Sequence, residues 1–280
     1  MLRIELPLQW QEVLPIVIHF QAKHDMIIEG GNLDMTRNSN AEIAKATYDY
    51  YTTYTTAPRT VEYVDYATTA PTQGMIERTN HPEILILDAT VDEALRYTLG
   101  KTAILNFASA VHPGGGVFSG ANAQEEAICR ASNLYMGISQ HKQFYEKNKG
   151  TAPLYTNNFL YSENVEFQFT ADGEKLEQPR KADVITYPAP NLNVPIDIPS
   201  NYMEVLQLRC DNIIRIANEE GIDTLILGAW GCGVFGNRPE NIARAFQKAL
   251  RNSTAKRVIF AIAYNRDFSR VFREVFGKIA

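Results

Sequence analysis

The stretch that decides the fold is DTLILGAWGCGVFGNRPENIARAFQKALRNSTAKRVIFAIAY, residues 223–264. It begins with the apolar segment DTLILGA, passes through a glycine-rich loop into the amphipathic segment PENIARAFQKALR, and ends in a second apolar segment, KRVIFAIAY. Short buried strands that alternate with amphipathic helices are typical of a mostly parallel sheet with helices on its faces. The stretch therefore predicts one strand–helix–strand unit of an α/β domain.

The same alternation extends upstream through the last two hundred or so residues. EILILD, TAILNFA and ADVITYPAP are short, apolar segments that predict buried strands. VDEALRYTL, EEAICRASNLY and YMEVLQLRCDNIIRIANEE each carry apolar residues at helical spacing. We therefore predict an α/β fold over residues 81–280, with three layers (α/β/α) and a mixed, mostly parallel central sheet.

The chain before this domain has a weaker pattern. Residues 1–34 show poor periodicity and are interpreted as an N-terminal extension. Residues 35–80 are interpreted as a helical accessory region, with a helix from about 41 to 54 that has Asn40 as its N-cap. The rest of this region is expected to be connecting chain, apart from a short strand at VEYVDY.

Composition excludes several classes of protein. The chain has 280 residues, 45% of them hydrophobic, and a formal net charge of −5, and its Lys and Arg residues are scattered, which argues against nucleic-acid binding. Three cysteines without a CxxC spacing and five histidines without a ligand-pair spacing predict neither disulfides nor a metal site. No apolar run reaches the length of a membrane span, and no signal-peptide order is present. We expect a cytoplasmic protein with reduced thiols.

A glycine-rich loop follows the strand predicted in TAILNFA, which should end near Ala108. The sequence continues SAVHPGGGVFSGANAQEEA, with three consecutive glycines at Gly114–Gly116. Binding loops of α/β sheets lie at such strand ends, and residues without a Cβ let several backbone N–H groups approach an anion. A flexible turn without a ligand is the alternative.

The second glycine-rich loop follows the strand in DTLILGA. Gly231, Gly233 and Gly236 have the spacing G-x-G-x-x-G, and Pro239 is suited to the first position of the next helix. A helix N-terminus and two glycine loops at strand ends favour a diphosphate held between them. A dinucleotide-binding Rossmann unit is the competing interpretation, but the next predicted strand ends at Tyr264 and not at an acidic residue suited to a ribose diol.

Two adjacent carboxylates follow the first loop. The predicted helix starts near Gln124, which puts Glu125 and Glu126 in its first turn. Acidic residues there gain about 0.3–1 kcal/mol from the helix dipole, and Glu126 has Arg130 one turn away as a possible ion-pair partner. Adjacent helical residues point about 100° apart, so one glutamate is expected to face the ligand. A single carboxyl beside a ribose and a diphosphate suits glycosidic cleavage, as acid and then as base.

These motifs together resemble those of the poly(ADP-ribose) glycohydrolases. The order Gly-Gly-Gly, a seven-residue spacer and Gln-Glu-Glu at 114–126 resembles the signature of that family. NFASAVHP before it, ITYPAPN at 185–191 and GAWGCGVFGN at 228–237 resemble its compact microbial form, which is a macrodomain. The resemblance spans about residues 36–280 and implies a macrodomain-like fold.

The resemblance also implies roles for individual residues. Glu126 would be the catalytic acid/base, and Glu125 would help to fix the scissile ribose. Asn106 and Gln124 would be polar supports, and Ser109 stands where animal members have an asparagine that contacts the distal ribose. With ADP-ribose as the implied ligand, Tyr264 at the end of the last strand is a candidate for stacking on adenine, and a place at the rim of the core is the alternative. The candidate ligand-binding residues are Asn106, Ser109, Gly114, Gly115, Gly116, Val117, Gln124, Gly231, Cys232, Gly233, Val234, Phe235, Gly236 and Tyr264.

The implied activity is hydrolysis of the ribose–ribose O-glycosidic bonds of poly(ADP-ribose), which releases ADP-ribose without a metal or redox cofactor. The expected partners are ADP-ribose polymers or ADP-ribosylated proteins, and a monomer is favoured. Two alternatives remain open at this point. One is a module that binds ADP-ribose without cleaving it, and the other is a hydrolase of ADP-ribose on a protein side chain or a nucleotide.

Overall fold

The computed structural model of the chain describes residues 33–64, 66 and 82–277. From Arg37 onward the chain forms one compact unit. The predictions for residues 1–32, and those for most of the stretch between 64 and 82, lie outside the described residues.

A seven-stranded mixed sheet is the centre of the described fold. Its order is β1-β4-β5-β3-β6-β7-β2. The four pairings among β5, β3, β6, β7 and β2 are parallel, and those of β4 with β1 and β5 are antiparallel. The mixed, mostly parallel sheet is therefore confirmed. The strands are β1 (Thr60–Tyr63), β2 (Glu83–Leu87), β3 (Thr102–Phe107), β4 (Phe159–Phe169), β5 (Lys175–Tyr187), β6 (Thr224–Leu227) and β7 (Arg257–Ala261).

Helices cover both faces of this sheet. Successive strand residues point to opposite faces, so Leu225 and Leu227 of β6 enter one hydrophobic core and Ile226 enters the other. The first core also contains α6, α7 and α8, and the second contains α2 to α5 and Ala44 of α1. The three-layer α/β/α prediction is confirmed. The helices are α1 (Leu33–Tyr54), α2 (Val91–Ala94), α3 (Gln124–Ala131), α4 (Leu134–Ile138), α5 (Lys142–Asn148), α6 (Tyr202–Glu219), α7 (Pro239–Ala249) and α8 (Arg266–Phe276).

The predicted start of the first helix was wrong. α1 begins at Leu33, so Asn40 is an interior residue and not an N-cap. Its side chain is buried, and its Nδ2 donates to the Gly120 carbonyl at 3.4 Å. VEYVDY does contribute a strand, because β1 pairs with β4 at the sheet edge. The region predicted as accessory therefore supplies part of the central sheet.

The segment EEAICRASNLY forms two helices where one was predicted. Ser132 has extended backbone and bridges to Phe167 of β4, which separates α3 from α4. The Asn133 amide holds this break: its Nδ2 donates to the Thr56 carbonyl at 3.1 Å and its Oδ1 accepts from the Glu166 N–H at 2.9 Å. Sequence analysis also missed β4, α5 and α8.

The parallel strands bring their carboxyl ends to one edge of the sheet. β3 pairs directly with β6, so the two glycine-rich loops leave neighbouring strands. Gly228 packs on the ring of Phe107 where these loops start; a methyl group on its Cα would lie 2.9 Å from the Phe107 Cζ. Ligands of open α/β sheets bind at this kind of edge.

Candidate active site

The first glycine loop, residues 108–123, connects β3 to α3. Gln124 fastens the two ends of this connection together. Its Nε2 donates to the Leu105 carbonyl at 2.8 Å, and its Oε1 accepts from the Phe107 N–H at 2.9 Å. Both partners are backbone groups of the last three residues of β3, so Gln124 fixes the position at which α3 starts.

Glu126 lies in the first turn of α3 with both carboxyl oxygens bound by the loop. Oε1 accepts from the Gly116 N–H at 2.9 Å and Oε2 from the Ala123 N–H at 3.1 Å. The side chain is buried. These two backbone donors hold the carboxyl in one orientation at the positive end of the helix dipole.

Arg130 does not form the ion pair considered for Glu126. Its Nε donates to the Ala171 carbonyl and its Nη1 to the Ala121 carbonyl, both at 3.0 Å, and its Nη2 donates to Asn122 Oδ1 at 2.6 Å. In the described part of the chain, no ion pair within 4 Å involves Glu126. A helix-surface pair therefore does not explain this glutamate, and Arg130 braces the loop.

Glu125 is the more deeply buried glutamate, with 3% of its surface exposed. Oε2 accepts from the Ser109 N–H at 2.7 Å, and Oε1 accepts from Asn106 Nδ2 at 3.4 Å. Burial raises the pKa of Glu125 to about 8, and the neighbouring charge of Glu126 acts in the same direction, against the Ser109 hydrogen bond. At neutral pH Glu125 is thus mostly a neutral acid.

The two carboxyls converge on Gly115. A methyl group on the Gly115 Cα would lie 2.4 Å from Glu126 Oε1 and 3.2 Å from Glu125 Oε2. Gly115 also has φ +57, a left-handed conformation that favours glycine. Both carboxyls therefore lie beside the same loop residue, and the expectation that one glutamate faces the ligand stays a prediction.

Other residues of the first loop contact neighbouring parts of the protein. Gly114 has φ +67 and lies against the Tyr135 ring, where a methyl group would come within 2.8 Å of Cδ2. Val117 is buried. The Ser109 hydroxyl accepts from the N–H groups of Val111 and His112, at 3.4 and 3.1 Å. The Ser109 side chain therefore shapes its own loop.

The second glycine loop, residues 228–238, is held at its base by a side chain that sequence analysis did not single out. Asn237 is buried; its Nδ2 donates to the carbonyls of Pro190 and Gly231, at 2.7 and 3.0 Å, and its Oδ1 accepts from the Tyr202 hydroxyl at 2.9 Å. Trp230 is also buried and donates to the Tyr187 carbonyl. The available signal was that Asn237 ends the motif GAWGCGVFGN.

The tip of this loop is open. No atom lies within 4 Å of the position that a Gly233 side chain would take, and Val234 is 73% exposed. Gly231 and Gly236 have φ of +70 and +69. Cys232 is buried, and burial raises its pKa to about 12. Cys232 is therefore a thiol at neutral pH and a spacer in the loop.

Phe235 packs partly against the core and does not project freely. It is half-buried, and its ring centroid lies 6.2 Å from that of Tyr155. Tyr155 has φ +61, and its hydroxyl accepts from Asn191 Nδ2 at 3.2 Å. The wholly buried Arg209 holds the backbone here by donating to the carbonyls of Tyr155 and Pro188. None of Tyr155, Asn191 and Arg209 was predicted.

Tyr264 lies beyond the strand to which it was assigned. β7 ends at Ala261, so Tyr264 belongs to the loop at the sheet edge. It has φ +60 and is 80% exposed. A side chain this exposed is not part of the core, and its role in binding stays a prediction.

The described residues contain neither a cluster suited to a metal ion nor a helix suited to spanning a membrane. Nowhere between 33 and 277, outside the undescribed gaps, do three His, Cys, Asp or Glu side chains gather in a way that suits a metal ion. Of the described helices, none combines the length and the apolar character that crossing a bilayer requires.

Comparison with known proteins agrees with this site. The family model of the microbial-type PARG catalytic domain matches residues 25–168, which include the first glycine loop and both glutamates. Among curated proteins, no sequence matches the chain.

Solved structures match over most of the chain. Poly(ADP-ribose) glycohydrolase (PARG) from Thermomonospora curvata is 30% identical, with a TM-score of 0.74 over 86% of this chain and 100% of that one. The same enzyme bound to the inhibitor ADP-HPD is 29% identical, with a TM-score of 0.73 over 85% and 99%. The enzyme from Deinococcus radiodurans in complex with ADP-ribose is 32% identical, with a TM-score of 0.65 over 71% and 86%.

Three observations agree with the family that the motifs around the two glutamates resemble. They are the family match, the similarity to these solved enzymes and the α/β/α fold. The chain belongs to the microbial-type poly(ADP-ribose) glycohydrolase family and is a hydrolase of that class.

Proposed function

We propose that Glu126 is the general acid/base with which this enzyme cleaves the ribose–ribose O-glycosidic bonds of poly(ADP-ribose). The observation that carries this assignment is the clamped carboxyl: the N–H groups of Gly116 and Ala123 each bind one of its oxygens. A carboxyl fixed in this way loses little orientational freedom when it reacts, as efficient proton transfer requires. Its position beside a second carboxyl is suited to a reaction at a sugar.

The reaction needs one proton and one water. The carboxylic acid of Glu126 gives its proton to the glycosidic oxygen, and the bond between this oxygen and the anomeric carbon of the terminal ribose breaks. The Glu126 carboxylate then takes a proton from a water molecule, whose oxygen bonds to the anomeric carbon. The products are ADP-ribose and a polymer one unit shorter, and Glu126 regains its proton.

The two glycine loops would hold the rest of the terminal unit. The exposed tip of the second loop, with Gly233 and Val234, offers backbone N–H groups to a diphosphate, and the N-terminus of α7 at Pro239 adds its dipole. Phe235 would support the distal ribose, and Tyr264 would stack on adenine. The solved relatives with ADP-ribose and with ADP-HPD support this assignment of the ligand.

Replacement of the acid tests the proposal. Glu126→Gln keeps the shape of the side chain but carries no transferable acid proton, so we expect polymer hydrolysis to fall by roughly 100-fold to 10,000-fold. Calorimetric titration should show that ADP-ribose still binds, because the second loop is unchanged. The matched control is Glu174→Gln, which changes an exposed glutamate in the β4–β5 turn and should leave both properties unaltered.

The same assay separates the alternatives. Near wild-type hydrolysis by Glu126→Gln would exclude this residue as the acid/base. A wild-type protein that binds ADP-ribose but releases it from no conjugate would be a reader of the modification. Release of ADP-ribose from side-chain or nucleotide conjugates without polymer shortening would show that the same chemistry acts on a mono-ADP-ribosylated substrate.

The remaining expectations concern the setting of the enzyme. We propose a cytoplasmic monomer that acts on ADP-ribose polymers or ADP-ribosylated proteins without a metal or redox cofactor. Residues 1–34 are poorly patterned, so we expect them to be dispensable, and the match of the family model from residue 25 makes their removal a strict test. A chain that starts at Met35 should fold and hydrolyse polymer, and loss of either property would assign a role to the extension.

A further inference from the structure

The two glutamates form an acidic pair, and the charge of Arg130, one turn along α3, acts on Glu126 without a direct ion pair. Glu126 Oε1 and Glu125 Oε2 lie 2.4 and 3.2 Å from one point, the position of a methyl group on Gly115, so less than about 6 Å separates the two oxygens. Across the described residues, no Lys, Arg or His nitrogen forms an ion pair with either carboxyl. Two unpaired negative charges at this separation repel strongly, and one of the carboxyls will therefore keep a proton.

The surroundings of the two carboxyls favour Glu125 as the protonated one. Glu126 receives two backbone N–H groups, which favour a carboxylate. Glu125 receives the Ser109 N–H at 2.7 Å, a weaker backbone hydrogen bond from Gly114 and a long bond of 3.4 Å from Asn106, and it is the more buried of the two. Asn106 Oδ1 is buried without a partner, and rotation of this amide by 180° would present it as an acceptor to a protonated Glu125.

We propose that Glu125 and Glu126 share a single proton, which rests on Glu125 and reaches the leaving ribose oxygen through Glu126. The proposal rests on the function given above for Glu126 and adds the source of its proton. Glu125 then serves as the proton store, in addition to any contact that it makes with the ribose.

The proton balance closes over one turnover. Glu125 passes its proton to the Glu126 carboxylate, which passes it to the glycosidic oxygen as the bond to the anomeric carbon breaks. Both glutamates are then carboxylates, and their charges stabilise the positive charge that develops on the ribose ring. Glu126 takes a proton from the attacking water, and this proton returns to Glu125.

The titratable groups around the pair do not compete for this proton. Cys129 on α3 and Tyr145 on α5 are buried, and burial raises the pKa of each well above its ordinary value, so both remain neutral. His112 of the first loop is exposed to solvent. Burial raises the pKa of Glu125 to about 8, so the pair retains one proton through neutral pH.

The pH profile of Glu125→Gln tests the shared proton. For the wild type, kcat/KM on polymer should fall on the alkaline side near pH 8, where the last proton leaves the pair. In Glu125→Gln, Glu126 has to take its proton from solvent, so the alkaline limb should move to lower pH. The variant should therefore regain activity as the pH is lowered. Glu174→Gln should keep the wild-type profile.

A role of Glu125 in positioning alone predicts a different result. The amide would then lower kcat by the same factor at every pH and leave the alkaline limb in place, and this result would overturn the proposal. Glu126→Gln tests the acid/base assignment separately: near wild-type activity of this variant at any pH would contradict that assignment. If Glu126→Gln is inactive and Glu125→Gln keeps the limb, only the shared proton is wrong.

Carboxyl ¹³C NMR of the wild-type enzyme provides a test that does not depend on the folding of a variant. One glutamate carboxyl should titrate between about pH 7 and 9, as expected from the pKa of about 8. The absence of any glutamate that titrates above about pH 6.5, where ordinary glutamates are fully ionised, would overturn the proposal.

Discussion

The two glycine loops leave neighbouring strands at the same edge of the sheet but are built in opposite ways. The first loop is filled from within, since Glu125, Glu126 and Tyr135 occupy the space beside its glycines. The second loop is fixed at its base by Asn237, and its tip at Gly233 has open space around it. Glycine has a different purpose in each, because one loop must approach its own side chains and the other leaves room for a ligand.

Under the proposed function, this difference assigns chemistry to the first loop and binding to the second. The first loop fixes two carboxyls through the backbone N–H groups of Ser109, Gly116 and Ala123, as proton transfer at a defined atom requires. The tip of the second loop, at Gly233 and Val234, lies open, which suits a diphosphate whose position is set from several sides. Substitutions in the first loop should therefore alter stability and turnover together, whereas those at the tip of the second should alter affinity.

Gly115→Ala should have the largest effect. The new methyl group would lie 2.4 Å from Glu126 Oε1, and φ of +57 adds a strain of about 1–2 kcal/mol. We expect a loss of roughly 100-fold in polymer turnover, because the displaced carboxyl no longer meets the glycosidic oxygen. Turnover and the free energy of unfolding in urea would measure the two parts of the effect.

Gly150→Ala is the matched control for backbone strain. Gly150 has φ +75, but a side chain there would meet no atom within 4 Å. The Gly150→Ala variant should lose about as much stability as backbone strain alone costs Gly115→Ala, and it should keep the wild-type turnover. Equal turnover losses in the two variants would mean that contact with Glu126 is not the reason for glycine at position 115.

Glu125→Gln should change stability in a pH-dependent way. The folded protein holds a proton on Glu125 up to pH 8, whereas the unfolded chain releases it near pH 4.3. Between these values the unfolded state binds fewer protons, so this group lowers the stability of the wild type as the pH rises. At pH 7 the variant should thus be more stable, by about 1–3 kcal/mol.

Chemical unfolding of both proteins at pH 4 and pH 7 would check this prediction. The difference in unfolding free energy should be close to zero at pH 4, where Glu125 is protonated in both states. A difference of the same size at both pH values would indicate that the amide acts through packing and not through the ionisation of the carboxyl.

The sequence predicted the parts of this fold that depend on local pattern. The parallel strands, the start of α3 at Gln124 and both glycine loops follow from apolar periodicity and from glycine spacing. β4 was missed because its long polar-interrupted segment pairs antiparallel with β5, a partner that periodicity does not identify. Tertiary packing also decided the interior position of Asn40, which spacing alone presented as a cap.

In the candidate site, too, the sequence predicted the features that depend on local pattern and missed those that depend on tertiary contacts. Motif order placed Glu125 and Glu126 in the first turn of a helix, but their convergence results from the return of the loop at Gly115. Arg209 and Asn237 were missed because each acts through backbone carbonyls distant in sequence, which leave no pattern along the chain. Supports of this kind become visible only when the chain is folded.

Phe235→Ala should lower turnover more than affinity. The ring packs partly on the core and near Tyr155, so part of the cost will appear as a loss of stability. If the ring also positions the distal ribose, we expect polymer turnover to fall about tenfold with a smaller change in the Kd for ADP-ribose. Phe235→Leu keeps apolar bulk and should restore stability but not turnover. Full recovery of turnover by leucine would assign Phe235 to packing alone.

Gly233→Ala should have the smallest effect on the protein itself and provides the sharpest contrast with Gly115→Ala. Its φ is not in the left-handed region, and no atom lies within 4 Å of the added methyl group. The free energy of unfolding should therefore change by less than about 0.5 kcal/mol, as at other unrestrained surface positions. If a diphosphate approaches this backbone closely, the methyl group will occupy its space, and the Kd for ADP-ribose measured by calorimetry should rise several-fold to about tenfold, equivalent to about 1 kcal/mol. An unchanged Kd would show that the open space at Gly233 is not filled by ligand, and the diphosphate would then have to bind closer to the base of the loop, near Gly231 and Asn237.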